Sequence, residues 1–527
     1  MASGSFGLSL KALVLCRPCF VSARELPFSL RAHTVGHCGC VGAVASPSKT
    51  VKPRKEQNHG KSREKSSPWK KLDANGLGIR KSMIPESARM VLNKLKKKGF
   101  QVYLVGGCVR DLILDRIPKD FDIITTAELK QVRKVFPSCL IVGKRFPICH
   151  VHVDDTIVEV SSFSTSAKSS KGFKNCLKRP PGCNEIDYAR WRNCIQRDFT
   201  INGLMFDPSE NVVYDYIGGV EDIRNSQVKT VCPARLSFVE DSARILRAIR
   251  IAARLGFGFT KDVAVSLKEL SSSLLRLDKT RVLMEMNYMM AYGSAEASLR
   301  LLWRFGLLEV LLPIQASYFV SQGFRRRDGR SNMLLSLFRN LDRLVAPDRP
   351  CPTLLWIGIL AFHKALVDQP RDPIVVAAFC LTLFNEGSLS ESIDVTKSIT
   401  QKHNSEFREL SARRTDSDSD ARLSKQVVEF AESVRSAVRK MKDRDYISRA
   451  MREYPQAPES DLVLMSEALS ERVMRIFACV RRGNQERCCK KRREGRIDYK
   501  SLALGDLQET RRVLARIAFD TVYPPPP

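Results

Sequence analysis

The sequence predicts a mixed α/β domain followed by an all-helical remainder, on three observations. A short apolar and aromatic run over 102–105 is broken by Gly106-Gly107 and resumes with helical spacing over 109–114, the pattern of a strand, a glycine turn and a helix N-terminus. Stretches 120–124, 141–151 and 155–163 then read as further strands. Beyond Ala291 apolar residues recur only at helical spacing, as over 299–311.

At 527 residues the chain exceeds one ordinary domain, and its 43% hydrophobic content suffices for real cores. A net charge of +30 points to a polyanionic partner; the bland alternative is a basic protein with no such partner. Sixteen cysteines lack metal-like spacing and read as reduced thiols. The longest apolar runs, 354–362 and 374–384, fall far short of a membrane span. Residues 1–75 are Ser-rich and basic, with Glu25 the only acid before Glu56. They read as a transit peptide or disordered arm, organelle import being weighed against an RNA-binding arm.

Within 104–123 the residues suggest chemistry. A glycine turn lets backbone N–H groups approach a phosphate without side-chain obstruction. On a strand, Asp120 and Asp122 share a face while Phe121 and Ile123 point into a core, so two carboxylates can hold a pair of divalent metals over a triphosphate. Either feature alone is common; the two in this order are not. GGCVRD followed by DFD resembles the head of the class II nucleotidyltransferases, which comprise bacterial-type poly(A) polymerases and CCA-adding enzymes, and is most similar to plant organellar polynucleotide adenylyltransferases. The fold this implies is an α/β nucleotidyltransferase head with a mixed sheet, then an all-α neck and body.

Taken in order, a helix is expected over 86–98, ended by Gly99, with ordered structure starting near Pro85. Thr125 or Thr126 is expected to cap a helix running to Phe136. The run GKRFPICHV, 143–151, resembles the stretch poly(A) polymerases carry where CCA-adding enzymes have another sequence. His150 and His152 share a strand face and suit a metal, or simply hydrogen bonds within a sheet. Glu159 lies in an apolar strand, where a carboxylate is costly unless paired or metal-bound; the resemblance makes it a third catalytic acid, the alternative being a glutamate on an exposed strand face. Residues 164–195 read as a mobile basic loop.

The stretch 196–204, QRDFTINGL, resembles the family's RRDFTINAL motif, which handles ribose and triphosphate; Gln196 and Gly203 depart from it. The stretch 215–222, DYIGGVED, resembles a flexible joint between head and neck. In 237–250, Arg244, Arg247, Arg250 and Arg254 spiral along one helix flank, with Ile245, Leu246, Ile249 and Ala253 on the other. Alone this is a solvated face, but it is similar to the family's EDxxRxLRxxR motif. Arg281 and Glu285 match a later pair that braces the neck.

The resemblance implies a template-independent RNA nucleotidyltransferase, a polynucleotide adenylyltransferase using ATP and two Mg²⁺ ions on RNA 3′ ends, mRNA or tRNA. Asp120 and Asp122 would ligate metal, with Glu159 and Asp198 as further acids; Asp198 alternatively buttresses Arg197. Gly106, Gly107, Arg110, Arg197, Asn202, Arg247 and Arg250 would bind the nucleotide's phosphates and sugar, with Asp241 and Arg244, three residues apart on one helix, at its base. The expected domains are head 85–220, neck 221–300, body 301–480 and a basic RNA-binding tail 481–527, the last led by Arg481, Arg482, Lys490, Lys491, Arg492 and Arg493. A nuclear-import-like patch or solvated tail is the alternative there. CCA addition and a catalytically silent RNA-binding relative are the competing functions, and the chloroplast is preferred to the mitochondrion as destination.

Overall fold

The computed structural model describes residues 69–143, 147–165, 183–345, 349–386, 389–411, 419–452, 462–480 and 497–525. Most of the 1–75 arm, including the expected transit segment, lies outside them, as do Lys144–Phe146 of the 143–151 run.

Eight strands form the head: β1 (Lys70–Asp73), β2 (Val102–Val105), β3 (Asp122–Thr125), β4 (Cys139–Val142), β5 (Ile148–Val153), β6 (Thr156–Ser162), β7 (Leu204–Asp207) and β8 (Val212–Asp215). Their order is β1-β8-β7-β2-β3-β6-β5-β4. Only β3 and β6 run parallel, because α3 (Leu129–Val135) and the β4–β5 hairpin intervene between them. The central strand β2 is buried along its whole length, consistent with its Val-Tyr-Leu-Val sequence. One face is covered by α1 (Glu86–Lys97), which buries Ala88, Val91, Leu92 and Leu95. The helix α2 (Gly107–Ile113) follows the glycine turn.

Two boundaries differ from expectation. Order begins before Pro85: β1 closes the sheet edge against β8, a pairing across some 140 residues that no local pattern reveals. Residues 185–195, assigned to a basic loop, form α4 (Glu185–Ile195), capped by Asn184, whose side chain accepts from the Asp187 N–H at 2.7 Å. On the sheet face opposite α1, Arg190 lies 4.1 Å from the Tyr214 ring centre and donates from Nη2 to the Tyr103 hydroxyl at 2.5 Å, inside a cluster of Tyr103, Tyr214 and Tyr216. The cap before α3 also differs: Glu128, with Gln131, closes it, not a threonine.

The joint between head and neck is pinned. The buried Asp215 carboxylate accepts the backbone N–H groups of Ile217, Gly218, Gly219 and Val220 at 2.8–3.2 Å, and so caps α5 (Gly219–Arg224). A Cβ on Gly219 would stand 2.4 Å from the Thr200 carbonyl, so only glycine lets the joint close on the 198–202 turn. Beyond it run α6 (Ala234–Glu240), α7 (Ala243–Leu255), α8 (Lys261–Glu269) and α9 (Lys279–Met289).

The body is helical from Ala295–Arg304 to Leu507–Val522. Phe362 and Phe477 stack on Phe379 at its centre, and Phe430 meets Phe379 edge-on. The expected tail is corrected here. Residues 481–496, with all six named basic residues, lie outside the described residues, but Leu507–Val522 buries Val513, Leu514, Ile517 and Phe519 against Pro373–Phe384 and Met333–Leu344. It is a core helix hidden in sequence behind a basic run. Asp420, in the Ser- and Asp-rich stretch 417–420 whose composition suggests a linker, begins the helix Asp420–Lys440. Among the described residues no helix is long and apolar enough to cross a membrane.

One buried group gives the body an acid sensitivity. His363 is sealed in the core with the Tyr318 ring 4.4 Å away, and burial, aided by Lys364, holds it down to about 3 from an ordinary 6.5. The unfolded chain therefore binds a proton below 6.5 that the fold refuses, so stability falls as pH drops from 6.5 towards 3. His363→Leu should make that loss shallower by roughly 1.4 kcal/mol per pH unit in this window, read from denaturant unfolding of both proteins.

Candidate active site

Gly106 ends β2 with φ +78°, a conformation that strains other residues. A Cβ there would lie 3.4 Å from Arg197 Nη1 and 3.6 Å from Asp122 Oδ2, so the bare turn, a carboxylate and a guanidinium share one small space. Asp122 opens β3 and stands in register with Glu159 on β6. Glu159 in turn faces His150 on β5, with Nε2 and Oε1 3.7 Å apart, while His152 is exposed. Burial pushes the Asp122 carboxyl up to about 6; Arg197 pulls it down, and the Glu159 and Asp120 charges add to the rise.

Asp120 sits elsewhere than expected. β3 starts at Asp122, so Asp120 precedes the strand with its side chain 66% exposed, 3.7 Å from the Lys119 ammonium. That ammonium lies 5.4 and 5.2 Å from the ring centres of Tyr288 and Tyr292, which ties the stretch to the end of α9. Sequence reasoning missed these tyrosines, since aromatic residues on a helix ordinarily signal a core. The acids offer the hard oxygen donors a Mg²⁺ takes, and the like-charge strain on Asp122 is the kind a cation relieves. Among the described residues no three such side chains are gathered closely enough to hold a metal together.

A second chain of contacts links head to neck. Arg110 is buried and donates to Asp111 Oδ1 from Nε (2.9 Å) and Nη2 (2.7 Å), and to Asn202 Oδ1 from Nη1 (2.6 Å). Asn202 Nδ2 donates to Asp198 Oδ1 at 3.0 Å, as does the Phe199 N–H at 2.9 Å. The other Asp198 oxygen lies 2.8 Å from Arg247 Nη2 on α7. Burial pushes Asp198 up, but Arg247, Asn202 and the Phe199 N–H outweigh it and hold the carboxyl below its ordinary value. Asp198 thus buttresses Arg247 and Asn202, with Arg197 near enough to lower its carboxyl further. Arg110, expected on phosphate, is enclosed by Asp111 and Asn202. Arg197 is half-buried and donates from Nη2 to Asn193 Oδ1 at 3.4 Å.

Two neck assignments are corrected. Asp241 and Arg244 do not share a helix: Asp241 is extended (φ −145°, ψ 98°) between α6 and α7, and its Oδ1 accepts the Ala243 N–H at 3.0 Å. Its capping chemistry breaks a helix that the periodicity alone would continue. Arg244 donates to Ser237 Oγ at 3.0 Å and Glu240 Oε2 at 2.9 Å. Arg250 is drawn from the phosphates to Glu285, Nε to Oε2 3.1 Å, and Arg281 flanks the same buried carboxylate at 3.8 Å. At Gly203, the departure from the family motif, a Cβ would stand 2.2 Å from Ile217 Cδ1, so the isoleucine fills that space.

Residues 102–229 match the family described as "Poly A polymerase head domain", and 256–319 the one described as "Probable RNA and SrmB- binding site of polymerase A". Poly(A) polymerase I of Salmonella typhimurium (strain LT2) is 32% identical over 341 residues, 62% of this chain and 68% of that protein. Poly(A) polymerase I of Escherichia coli O6:H1 is 32% identical over 289 residues; the match covers 53% of this chain and 57% of the relative's length. The CCA-adding enzyme of Staphylococcus epidermidis is 27% identical over 54% of this chain and 63% of its own. The crystal structure of the Bacillus stearothermophilus CCA-adding enzyme in complex with CTP is 22% identical, covers 75% of this chain and 92% of its own, and superposes with a TM-score of 0.42.

Proposed function

The chain belongs to the class II nucleotidyltransferase family of poly(A) polymerases and CCA-adding enzymes, and from that premise we propose that it adds AMP from ATP to RNA 3′ ends without a template. The observation that carries the reading is the meeting of Asp122, Glu159 and Arg197 at the Gly106 turn. The N–H groups opening α2 receive the triphosphate and Arg197 balances its charge. Arg247, held by Asp198, aligns the neck against the head. Asp120 and Asp122 would hold Mg²⁺, which when bound would acidify the RNA 3′-hydroxyl and stabilise the departing pyrophosphate oxygen.

Adenylation is favoured over CCA addition by the 143–151 run and by the higher identity of the poly(A) polymerases. A silent relative is disfavoured because the acids are all present. The arm 1–75 is proposed to direct the chain to an organelle, the chloroplast before the mitochondrion. The test is pyrophosphate release from ATP with RNA ending in a 3′-hydroxyl or a 3′-deoxy sugar. Release should require the hydroxyl and stop on chelation; hydrolysis of ATP indifferent to the RNA end would remove the assignment.

The basic run carries its own expectation. Deleting 481–496 alone should weaken RNA binding and flatten its salt dependence, by about 0.7 in log–log slope for each lost phosphate contact to a single strand. ATP affinity should not change. A deletion running to the C-terminus would instead take the core helix Leu507–Val522 and unfold the body. Equal salt slopes for parent and 481–496 deletion would place RNA elsewhere.

A further inference from the structure

Between the helices Pro313–Ser321 and Met333–Leu344, the stretch 323–330 reads GFRRRDGR, four arginines against one aspartate. It borders an open cavity of about 660 Å³ lined by Gly323, Arg325, Arg327, Asp328, Gly329 and Arg330. The stretch is built, not loose. Phe324 is buried against Phe319, and its N–H donates to the Phe319 carbonyl at 2.8 Å. Arg326 lies 3.9 Å from the Trp303 ring centre, donates to the Trp303 carbonyl at 2.7 Å and pairs with the buried Glu309. Trp303 Nε1 returns a bond to the Arg325 carbonyl at 3.1 Å, and Arg300 Nη1 one to the Asp328 carbonyl at 3.1 Å.

With the middle arginine turned to the protein, its neighbours Arg325 and Arg327 are exposed, and among the described residues neither guanidinium has an ion pair. Arg330 grips Asp328 through Nε (3.0 Å) and Nη2 (2.7 Å), which cancels the one acid and fixes a third fork, 68% exposed, at the cavity edge. Holding like charges together on a fixed loop is unfavourable without an anionic partner. No apolar or aromatic side chain lines the cavity, so it offers neither a stacking wall for a base nor an anchor for an acyl chain. What remains is recognition of phosphate by forked donors, independent of sequence.

We propose that the 323–330 loop is a docking site for the phosphodiester backbone of the RNA, upstream of the reacting 3′ end. The inference rests on the proposed RNA substrate and adds a binding site just beyond the matched 256–319 segment. The experiment compares the full chain with R325E/R327E and R325K/R327K, using a single-stranded RNA, vesicles of phosphatidylserine and phosphatidylcholine, and ATP alone, after thermal melts establish that the variants fold. The charge reversal should weaken RNA binding at least tenfold and reduce its salt slope by about 1.4, two contacts at about 0.7 each. The lysine pair should retain most of both, and ATP affinity should stay the same. If the reversed protein does not fold, R325Q/R327Q takes its place, with the same slope change expected. Unchanged RNA affinity and slope overturn the proposal, and so does a loss confined to vesicle binding. The transferase reading fails separately, if the parent binds RNA through this loop yet never extends it.

Discussion

Replacing Asp122 by Asn is expected to slow nucleotidyl transfer by roughly a thousandfold or more, about 4 kcal/mol of transition-state stabilisation. The carboxylate sits on the sheet between Glu159 and the Gly106 turn, and Asn keeps its shape while removing the charge proposed to bind metal. Fold stability should move the other way. Asp122 is pushed up to about 6 from an ordinary 3.8, so in the metal-free fold its ionisation is opposed. A raised carboxyl binds protons more tightly folded than unfolded, so its penalty grows as pH rises from 3.8 through 6 and is complete above. The Asn variant should therefore melt no lower than the parent near neutral pH while its kcat collapses. Turnover close to the parent's would remove Asp122 from the chemistry.

Asp198→Ala should produce the second large effect, on stability and catalysis together. It strips Arg247, Asn202 and the Phe199 N–H of their shared acceptor at a buried point. Breaking a buried ion pair on one side removes about 3–5 kcal/mol; the Arg247 side chain is 36% exposed and can rehydrate, which favours the lower end. Because the carboxylate joins Asn202, and through it Arg110, to the neck helix α7, its loss also frees the head to shift against the neck. If the link is the cause, Arg247→Leu added to Asp198→Ala should cost much less than the sum of the two. Full additivity in unfolding free energy and in kcat/KM would sink the coupling.

The sequence disclosed what local chemistry encodes. The glycine turn, the Asp122 strand and a carboxylate at Glu159 inside an apolar strand were legible because each breaks a simple pattern. The arginine spiral of α7 was legible as a face, but the partners of its members were not. Arg250 meets Glu285 thirty-five residues on, and Arg110 meets Asn202 ninety-two residues on; such pairings appear only once the chain is folded. Periodicity also misled. Three-residue spacing put Asp241 and Arg244 on one helix, while the aspartate's tendency to cap the next N–H separates them. α4 was obscured by its Ser- and Lys-rich neighbours, and Leu507–Val522 by the basic run before it. Composition averaged over a window hides a helix at its edge.

The most direct test of the central claim supplies the purified full chain with ATP, CTP, GTP or UTP singly, and with ATP and CTP together. The acceptors are a generic RNA and a tRNA lacking its terminal CCA, and product lengths are read at single-nucleotide resolution. A ladder of repeated AMP additions to both acceptors with ATP alone, and little incorporation from CTP, is the expected result. Addition of two C and one A to the trimmed tRNA, stopping there and leaving the generic RNA untouched, would contradict it.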